Sequence, residues 1–186
     1  MANPNEQVAE QSPKASKVII AVNMYDGVGY FVDSEGRFLF KKQFEEVSKF
    51  TEGLAHVEQN GKIGFINTQG EVVIPCIYDW TVGWFSEGLT SVEQNGKRGY
   101  INTKGEVVIP CIYDNAWGFS EGLARVWLNG KWSYINTKGE VVIPCIYDWA
   151  AWRFTEGLAR IKQNDKLSLI NKEGKVIVED CGWETH

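Results

Sequence analysis

The cysteines are the first residues whose chemistry the sequence puts in question. Cys76, Cys111 and Cys145 occupy one repeated position, and Cys181 lies near its equivalent but one residue out of step. Their intervals of 34–36 residues contain no CxxC pair of the kind that builds zinc or redox sites. Stacked hairpin repeats would hold equivalent Cα atoms farther apart than the roughly 7 Å that a disulfide tolerates. We therefore expect free, buried thiols that act as small hydrophobic side chains.

Three aspartates, Asp79, Asp114 and Asp148, each follow a tyrosine. A row of carboxylates could do acid–base chemistry or bind a cation. A catalytic constellation is normally unique, however, and these positions are copied, so we expect them to cap or bridge turns between copies. Neither of the two histidines, His56 and His186, has a partner pattern for a nucleophile or a metal. The sequence therefore predicts no enzyme activity, no metal site and no cofactor.

The composition describes the chain in which these residues are set. Its 186 residues are 44% hydrophobic and 23% charged, with a formal charge of −5, which is typical of an ordered domain. Binding to nucleic acid or anionic membrane depends on Lys and Arg that neutralise phosphate, so neither partner is expected. No apolar run approaches the roughly 18 residues of a membrane span, and residues 1–17 lack the apolar stretch of a signal peptide. We expect a cytoplasmic protein, in agreement with free thiols.

Internal repetition is the dominant signal. The fourteen letters INTKGEVVIPCIYD occur at both 101–114 and 135–148, and 66–79 differs from them only at Gln69. Taking the motif F-[ST]-E-G-L as the start of each unit gives a period of 35, 34 and 35 residues. The sequence predicts a disordered tail at 1–17 and a single repeat domain at 18–186. Its five copies have the approximate ranges 18–49, 50–84, 85–118, 119–153 and 154–183.

Each copy is predicted to be a three-stranded β-meander. In the second copy, Leu54–Gln59 and Lys62–Asn67 flank Asn60-Gly61, the two-residue turn that favours a type I′ hairpin. Glu71–Ile74 is rich in β-branched residues and forms the predicted third strand, which we expect Pro75 to end because proline cannot donate to the ladder. The fold class is therefore all-β.

Alternation along the first two strands separates two faces of each copy. Positions 55, 57, 64 and 66 and their equivalents hold small and β-branched residues, as a stacked core requires. Positions 56, 58, 63 and 65 share the other face, on which 56, 58 and 63 vary between copies. Drift on a solvated surface explains that variation, but Trp127 opposite Trp132 with Arg125 beside them also has the composition of an interface hot spot.

We expect a non-enzymatic interaction or scaffold module that presents this variable face to a protein partner, and a protein encoded nearby is a candidate. Its candidate partner-binding residues are Arg98, Arg125, Trp127, Trp132 and Arg160, with the tryptophans as anchors and the arginines as orienting donors. The alternative is an aromatic-lined module that binds a small ligand or a glycan through the tryptophans of the long connections. A purely structural accessory domain is a further interpretation.

The unit NGKxGYINTKGEVVIPxxYDxAxxFSEGLAxV resembles the WG repeat, a β-rich bacterial module named after Trp-Gly in its second strand. The resemblance covers about nine-tenths of the chain and implies a repeat array used for binding or scaffolding, with no catalytic motif to transfer. The naming dipeptide itself is replaced in every copy, by Ile63-Gly64, Arg98-Gly99, Trp132-Ser133 and Leu167-Ser168.

Five such units could form an open, solenoid-like stack or a closed five-bladed, propeller-like ring. Closure would make all copies equivalent, whereas the end copies diverge. The first has Lys41, Lys42, Glu45 and Glu46 where the three middle copies have Pro-Cys-Ile-Tyr-Asp, and the last ends in Glu179-Asp180. Polar end copies protect the exposed edges of an open stack, so we expect the open array.

Overall fold

A succession of small antiparallel β-sheets builds the chain. The computed structural model describes residues 19–23, 28–40 and 42–179, so the predicted tail at 1–17 and the end of the last predicted copy lie outside the described residues. A two-stranded hairpin comes first, and four four-stranded sheets follow. These ranges contain no helix long and apolar enough to cross a membrane. The all-β prediction is confirmed.

The strands keep the order of the chain within every sheet. The hairpin consists of β1 (Ile20–Asn23) and β2 (Gly29–Val32). The first sheet consists of β3 (Glu46–Val47), β4 (Leu54–Gln59), β5 (Lys62–Asn67) and β6 (Val72–Tyr78). The second consists of β7 (Trp80–Thr81), β8 (Leu89–Gln94), β9 (Lys97–Asn102) and β10 (Val107–Tyr113). The third consists of β11 (Asn115–Ala116), β12 (Leu123–Leu128), β13 (Lys131–Asn136) and β14 (Val141–Tyr147). The fourth consists of β15 (Trp149–Ala150), β16 (Leu158–Gln163), β17 (Lys166–Asn171) and β18 (Val176–Val178).

The prediction of three-stranded units is wrong by one strand. The connection before each Phe-Ser/Thr-Glu-Gly turn contributes a two-residue strand, as where Trp80 and Thr81 pair with Glu93 and Val92. Two residues are too few to show an alternating pattern, so this strand has no signature in the sequence. The first predicted copy differs in the other direction: of its three expected strands only two form, and an isolated bridge between Val32 and Phe38 stands in place of the third.

The two-residue turns have the predicted geometry. Asn60 and Gly61 both have positive φ, 55° and 65°, as a type I′ turn requires. Gln59 faces Lys62 across this turn, and the pairing continues without slippage to Leu54 opposite Asn67. The register that separates the two faces of each sheet is therefore confirmed.

The third long strand does not end at its proline, contrary to the prediction. β6 continues through Pro75 to Tyr78, and its pairing with β5 shifts register on either side of Ile74. Because β6 is the edge strand of its sheet and is bulged there, the missing N–H of proline removes no necessary ladder bond. Identical sequences give β10 and β14 the same form.

The hydrophobic core lies between consecutive sheets. We call the side of a sheet that meets the preceding unit its backward face, and the opposite side its forward face. The backward face is the predicted core face; in the third sheet it holds Ala124, Val126 and Ile135. These side chains pack against Tyr100 and Ile109 on the forward face of the second sheet. The same arrangement joins the first sheet to the second and the third sheet to the fourth, so both faces of the interior sheets are covered.

Carboxylates at the copied aspartate positions also tie the sheets together. Asp79 accepts a hydrogen bond from Lys62 of the first sheet and another, 3.2 Å long, from the backbone N–H of Asn95 in the second. Asp114 and Asp148 repeat this pattern one and two sheets later. The hydrogen bonds with lysine hold the pKa of each carboxyl below its ordinary value. The prediction that these aspartates bridge turns between copies is confirmed.

A second series of carboxylates lies at the Phe-Ser/Thr-Glu-Gly turns. Glu52 accepts a hydrogen bond from the N–H of Gly88 in the next sheet, and Glu87 and Glu121 do the same one and two repeats later. Each link joins a sheet only to its successor. The sheets therefore form an open repeat array, as the divergent end copies predicted.

The described cysteines are free thiols, but they are half-buried rather than buried. The thiols of Cys76 and Cys111 contact backbone carbonyl oxygens of their own sheets, with Sγ about 4 Å from the oxygens of Val57 and Val92. Desolvation raises the pKa of both thiols. Cys181 lies outside the described residues.

Candidate partner-binding surface

The residues predicted to bind a partner all lie on forward faces. Arg98 is on the second sheet, Arg125, Trp127 and Trp132 are on the third, and Arg160 is on the fourth. The next sheet covers the forward faces of the first three sheets. The expectation that this face is open to solvent is therefore wrong for the interior of the array, and each residue has to be placed individually.

Arg98 joins the second sheet to the third. Its guanidinium lies 3.7 Å from the ring centroid of Trp80, its Nε donates to Glu93 Oε2 at 3.0 Å, and its Nη1 donates to Asn115 Oδ1 at 2.6 Å. The side chain is 16% exposed. The stacking and the two hydrogen bonds are a cation–π contact and a charge-assisted network that hold the arginine in one conformation.

Arg125 is buried, with 8% of its surface exposed. Its Nη1 donates to the carbonyl oxygen of Ala150 in the fourth sheet at 2.6 Å, and its guanidinium lies 4.0 Å from the ring centroid of Trp132. Burial lowers the pKa of Arg125 from its ordinary value, although an arginine stays protonated in proteins. The sequence placed Arg125 on an open face, and the structure places it under the fourth sheet, where it donates to the Ala150 carbonyl.

Trp127 and Trp132 form the predicted cross-strand pair. They are directly opposite in register, with ring centroids 4.7 Å apart and planes tilted by 55°. Both rings are half-buried, and Trp132 packs against the core between the third and fourth sheets. With Arg125 they form one cluster, which Arg98 and Arg160 do not join. Their role in binding a partner stays a prediction.

The position of Arg125 has an inter-sheet role in the first sheet as well. His56 occupies it there, and its Nδ1 lies 3.1 Å from the carbonyl oxygen of Gly83 in the second sheet. In the second sheet the position is Ser91, which is fully buried. His56 and Arg125 thus each contact a backbone carbonyl of the following sheet, whereas the buried Ser91 Oγ has no hydrogen-bond partner among the described residues.

Arg160, the last member of this series, is exposed. It lines a cleft of about 400 Å³ on the forward face of the fourth sheet, together with Trp149, Trp152, Arg153 and Leu169. Trp149 is 42% exposed and Trp152 is 51% exposed, with the guanidinium of Arg153 4.3 Å from a Trp152 ring centroid. We call this site the terminal cleft. Two large aromatic and two cationic side chains meet there in the open.

Trp149 and Trp152 belong to the connection tryptophans of the alternative ligand-binding interpretation, but neither they nor Arg153 were among the partner-binding candidates chosen from the sequence. Both tryptophans lie in a connection, where periodicity does not say which side chains are covered. A usable signal was their place in the connection before the last Phe-Ser/Thr-Glu-Gly turn, because no further repeat of the described chain follows to cover them. Trp84, by contrast, is 41% exposed but lies beside Gly118 of the following connection.

The described residues contain no group of three or more His, Cys, Asp and Glu side chains that could hold a metal ion. The repeated carboxylates are engaged in the links between sheets. The chemistry that this site offers is stacking, cation–π contact and hydrogen bonding from guanidinium groups.

The fold occurs in larger proteins of known structure. A crystal structure of the eukaryotic initiation factor is 11% identical, with a TM-score of 0.62 over 93% of this chain and 54% of that chain. Hsv2 of Kluyveromyces lactis is 10% identical, with a TM-score of 0.51 over 83% of this chain and 57% of that chain. The chain thus spans about half the length of these solved chains, and the likeness concerns the fold alone. None of the curated proteins compared with the chain matches it in sequence.

A family model resolves the repeats themselves. The model described as the WG containing repeat matches four successive segments, 31–62, 63–97, 99–132 and 132–166. Together they cover most of the four sheets and well over half of the chain. The resemblance carried by the repeated unit is confirmed, and the chain belongs to the WG containing repeat family.

Proposed function

We propose that this chain is a non-enzymatic protein-interaction module and that its partner binds at the terminal cleft. The exposure of Trp149, Trp152 and Arg160 in one cleft is the observation that supports the proposal most directly. Tryptophan and arginine contribute more than most residues to the energy of protein interfaces, above all where they are clustered.

A protein is favoured as the partner by charge as well as by composition. The chain carries a formal charge of −5, which disfavours a polyanion as the main ligand. Arg153 and Arg160 give the cleft itself a local positive character, suited to carboxylates or backbone carbonyl groups on a protein.

Affinity capture from a lysate of the source organism, read by mass spectrometry, tests the proposal. The wild-type chain is compared with a Trp149→Ala, Trp152→Ala double variant and with Trp84→Ala, which removes a similarly exposed tryptophan from another connection. Circular dichroism checks that all three are folded. A stoichiometric protein captured by the wild type and by Trp84→Ala, but not by the double variant, supports the terminal cleft. Equal capture by all three contradicts it.

The same capture, run with a Trp127→Ala, Trp132→Ala variant, addresses the surface chosen from the sequence. Because these rings are half-buried beside the fourth sheet, we expect the variant to lose stability more than partner binding. Selective loss of the partner in a folded variant would move the site to the third sheet.

A glycan or small ring-shaped ligand is the second candidate, and the exposed pair Trp149 and Trp152 beside a cleft of about 400 Å³ favours it. Stacking of a ligand on these rings would change tryptophan fluorescence. Saturable quenching in a glycan screen, absent in the double variant, would select this function over protein binding.

A further inference from the structure

The two ends of the array have complementary faces. Each sheet presents a backward face that fits the forward face of its predecessor. Among the described residues, the backward face of the first hairpin has no preceding sheet, and the forward face of the fourth sheet has no following one. We propose that these two ends bind each other between two copies of the chain, head to tail. The inference rests on the proposed function, since it names a partner for the terminal cleft.

Register identifies the face at the head of the array. Ile20 pairs with Val32 and Val22 with Tyr30 in the hairpin, as Ala55 pairs with Ile66 and Val57 with Gly64 in the first sheet. The second set is a backward face, buried in the core that joins the hairpin to the first sheet. The equivalent set in the hairpin consists of Ile20, Val22, Tyr30 and Val32, which we call the head face. It is apolar, and Ile20 is 43% exposed.

Equivalence also identifies the face at the tail. Leu123, Tyr134 and Ile143 lie on the forward face of the third sheet and are at most 7% exposed beneath the fourth sheet. Their equivalents in the fourth sheet are Leu158, Leu169 and Val178, which we call the tail face. Leu158 and Leu169 are half-buried, Val178 is 44% exposed, and Leu158 and Leu169 also line the terminal cleft.

A series of glycines shows how one end would fit the other. In each sheet the glycine of the turn after the second long strand lies against the preceding unit, where a Cβ would be 2.5–3.4 Å from a side-chain atom. The pairs are Gly70 on Phe40, Gly105 on Ile74, Gly139 on Ile109 and Gly174 on Ile143. These contacts measure how closely one unit approaches the next.

The same turn occurs in the hairpin. Gly36 donates to the carbonyl of Asp33 at 2.9 Å, as Gly70 does to Asn67, and Asp33 Oδ1 accepts from the backbone as Asn67 Oδ1 does. A Cβ on Gly36 would have no atom within 4 Å. The residues that these glycines contact are Phe40, Ile74, Ile109 and Ile143. Val178 occupies the next equivalent position, at the tail. The head therefore has a glycine turn with no described sheet before it, and Val178 is the residue on which such a turn would sit.

The tail face is also smaller than its equivalents in the interior. Leu169 occupies there the position of Phe65, Tyr100 and Tyr134, so the tail lacks one aromatic ring. At the head, Tyr30 packs within its own unit, with its ring centroid 5.1 Å from that of Phe38. A tail-to-tail arrangement would instead bring Arg153 and Arg160 of both copies together, which like-charge repulsion disfavours.

Sedimentation equilibrium over a concentration series tests the inference. The head variant is Ile20→Lys, the tail variant is Val178→Lys, and the control is Val107→Lys on the edge strand β10, which is 60% exposed and belongs to neither face. We expect the wild type and the control to self-associate, and each end variant to weaken association by more than about tenfold. An equimolar mixture of the two end variants should associate again, because it contains one intact head and one intact tail.

Three outcomes would overturn head-to-tail binding. A wild-type chain that stays monomeric at all concentrations excludes it. Weakening by the tail variant alone, with no rescue on mixing, indicates tail-to-tail contact. Self-association that neither end variant weakens would place the contact elsewhere on the surface.

The proposed function fails on different results. Capture of an unrelated protein by the wild type and by Ile20→Lys, but not by Val178→Lys, would keep the terminal cleft as a partner site and reject a second copy as its occupant. Self-association that is lost in both end variants but kept in the Trp149→Ala, Trp152→Ala variant would keep head-to-tail binding and reject the tryptophans of the terminal cleft as the partner site.

Discussion

Arg125 Nη1 of the third sheet donates a hydrogen bond to the carbonyl oxygen of Ala150 in the fourth, across 2.6 Å. Arg160 occupies the same position one repeat later and is exposed. One residue type at one repeated position is thus a link between sheets in the interior and part of an open surface at the end. The difference comes from what lies above the residue, since the strands that carry the two arginines have the same register.

The first prediction concerns this pair of arginines. Arg125→Met should lower the free energy of unfolding by about 1.5–3 kcal/mol, because it leaves the Ala150 carbonyl without its charged donor. Arg160→Met is the matched control, and as an exposed substitution it should stay within about 0.5 kcal/mol of the wild type. Urea unfolding measures both. Equal losses would contradict the inter-sheet role of Arg125.

The second prediction concerns Trp127 and Trp132, whose ring centroids are 4.7 Å apart. A double-mutant cycle with Trp127→Ala and Trp132→Ala should give a coupling energy of about 0.5–1.5 kcal/mol, as measured for aromatic pairs. Chemical denaturation of the four proteins provides the values. Additive losses would mean that the two rings contribute independently, through their separate contacts.

The third prediction concerns acid stability and follows from Asp114. Lys97 is the main cause that lowers the pKa of Asp114 below its ordinary 3.8 in the folded protein. Because the folded-state pKa is below the unfolded value, the stabilisation is complete above the unfolded pKa and is lost as the pH falls through the folded one. The free energy of unfolding should therefore decrease below about pH 4, and less steeply in Asp114→Asn.

Asp165→Asn is the control for this effect, since Asp165 is 94% exposed in a hairpin turn. Urea unfolding between neutral pH and pH 2 distinguishes the variants. A profile of Asp114→Asn that is parallel to the wild type over this range would show that the carboxylate contributes nothing to acid sensitivity.

The fourth prediction concerns Gly99. A Cβ there would lie 2.4 Å from the Ile109 carbonyl oxygen and 2.6 Å from the Cys111 nitrogen, both of them backbone atoms of the neighbouring strand. Gly99→Ala should therefore cost about 3 kcal/mol, the upper end for overpacking, because backbone yields less than a side chain. Thermal or urea unfolding gives the value.

Ser133 is the matched position in the third sheet, where a Cβ is present and Oγ donates to the Ile143 carbonyl at 2.7 Å. Ser133→Ala keeps the Cβ and loses one hydrogen bond, so its cost should be about 1 kcal/mol. Comparable costs for the two alanine variants would mean that β10 can shift away from Gly99.

Much of the fold could be predicted from the sequence because its determinants are local. Asn60-Gly61 specifies a turn whose backbone requires two positive φ angles, and that turn sets the pairing of the two strands beside it. The bridging role of the copied aspartates could be predicted for the same reason, because the same residue recurs at one position of successive copies. The two-residue strand at Trp80–Thr81 could not, because it exists only through its pairing with the next strand.

The sequence by itself determined the repeat, the hairpin registers and which residues share a face, since each follows from spacing along the chain. Only the tertiary structure decided which faces stay open. Arg125 and Arg160 have the same place in their hairpins, and the presence or absence of a following sheet buries the first and exposes the second. Burial of a forward face is a property of two neighbouring sheets, and the residues of one sheet do not encode whether the other is there.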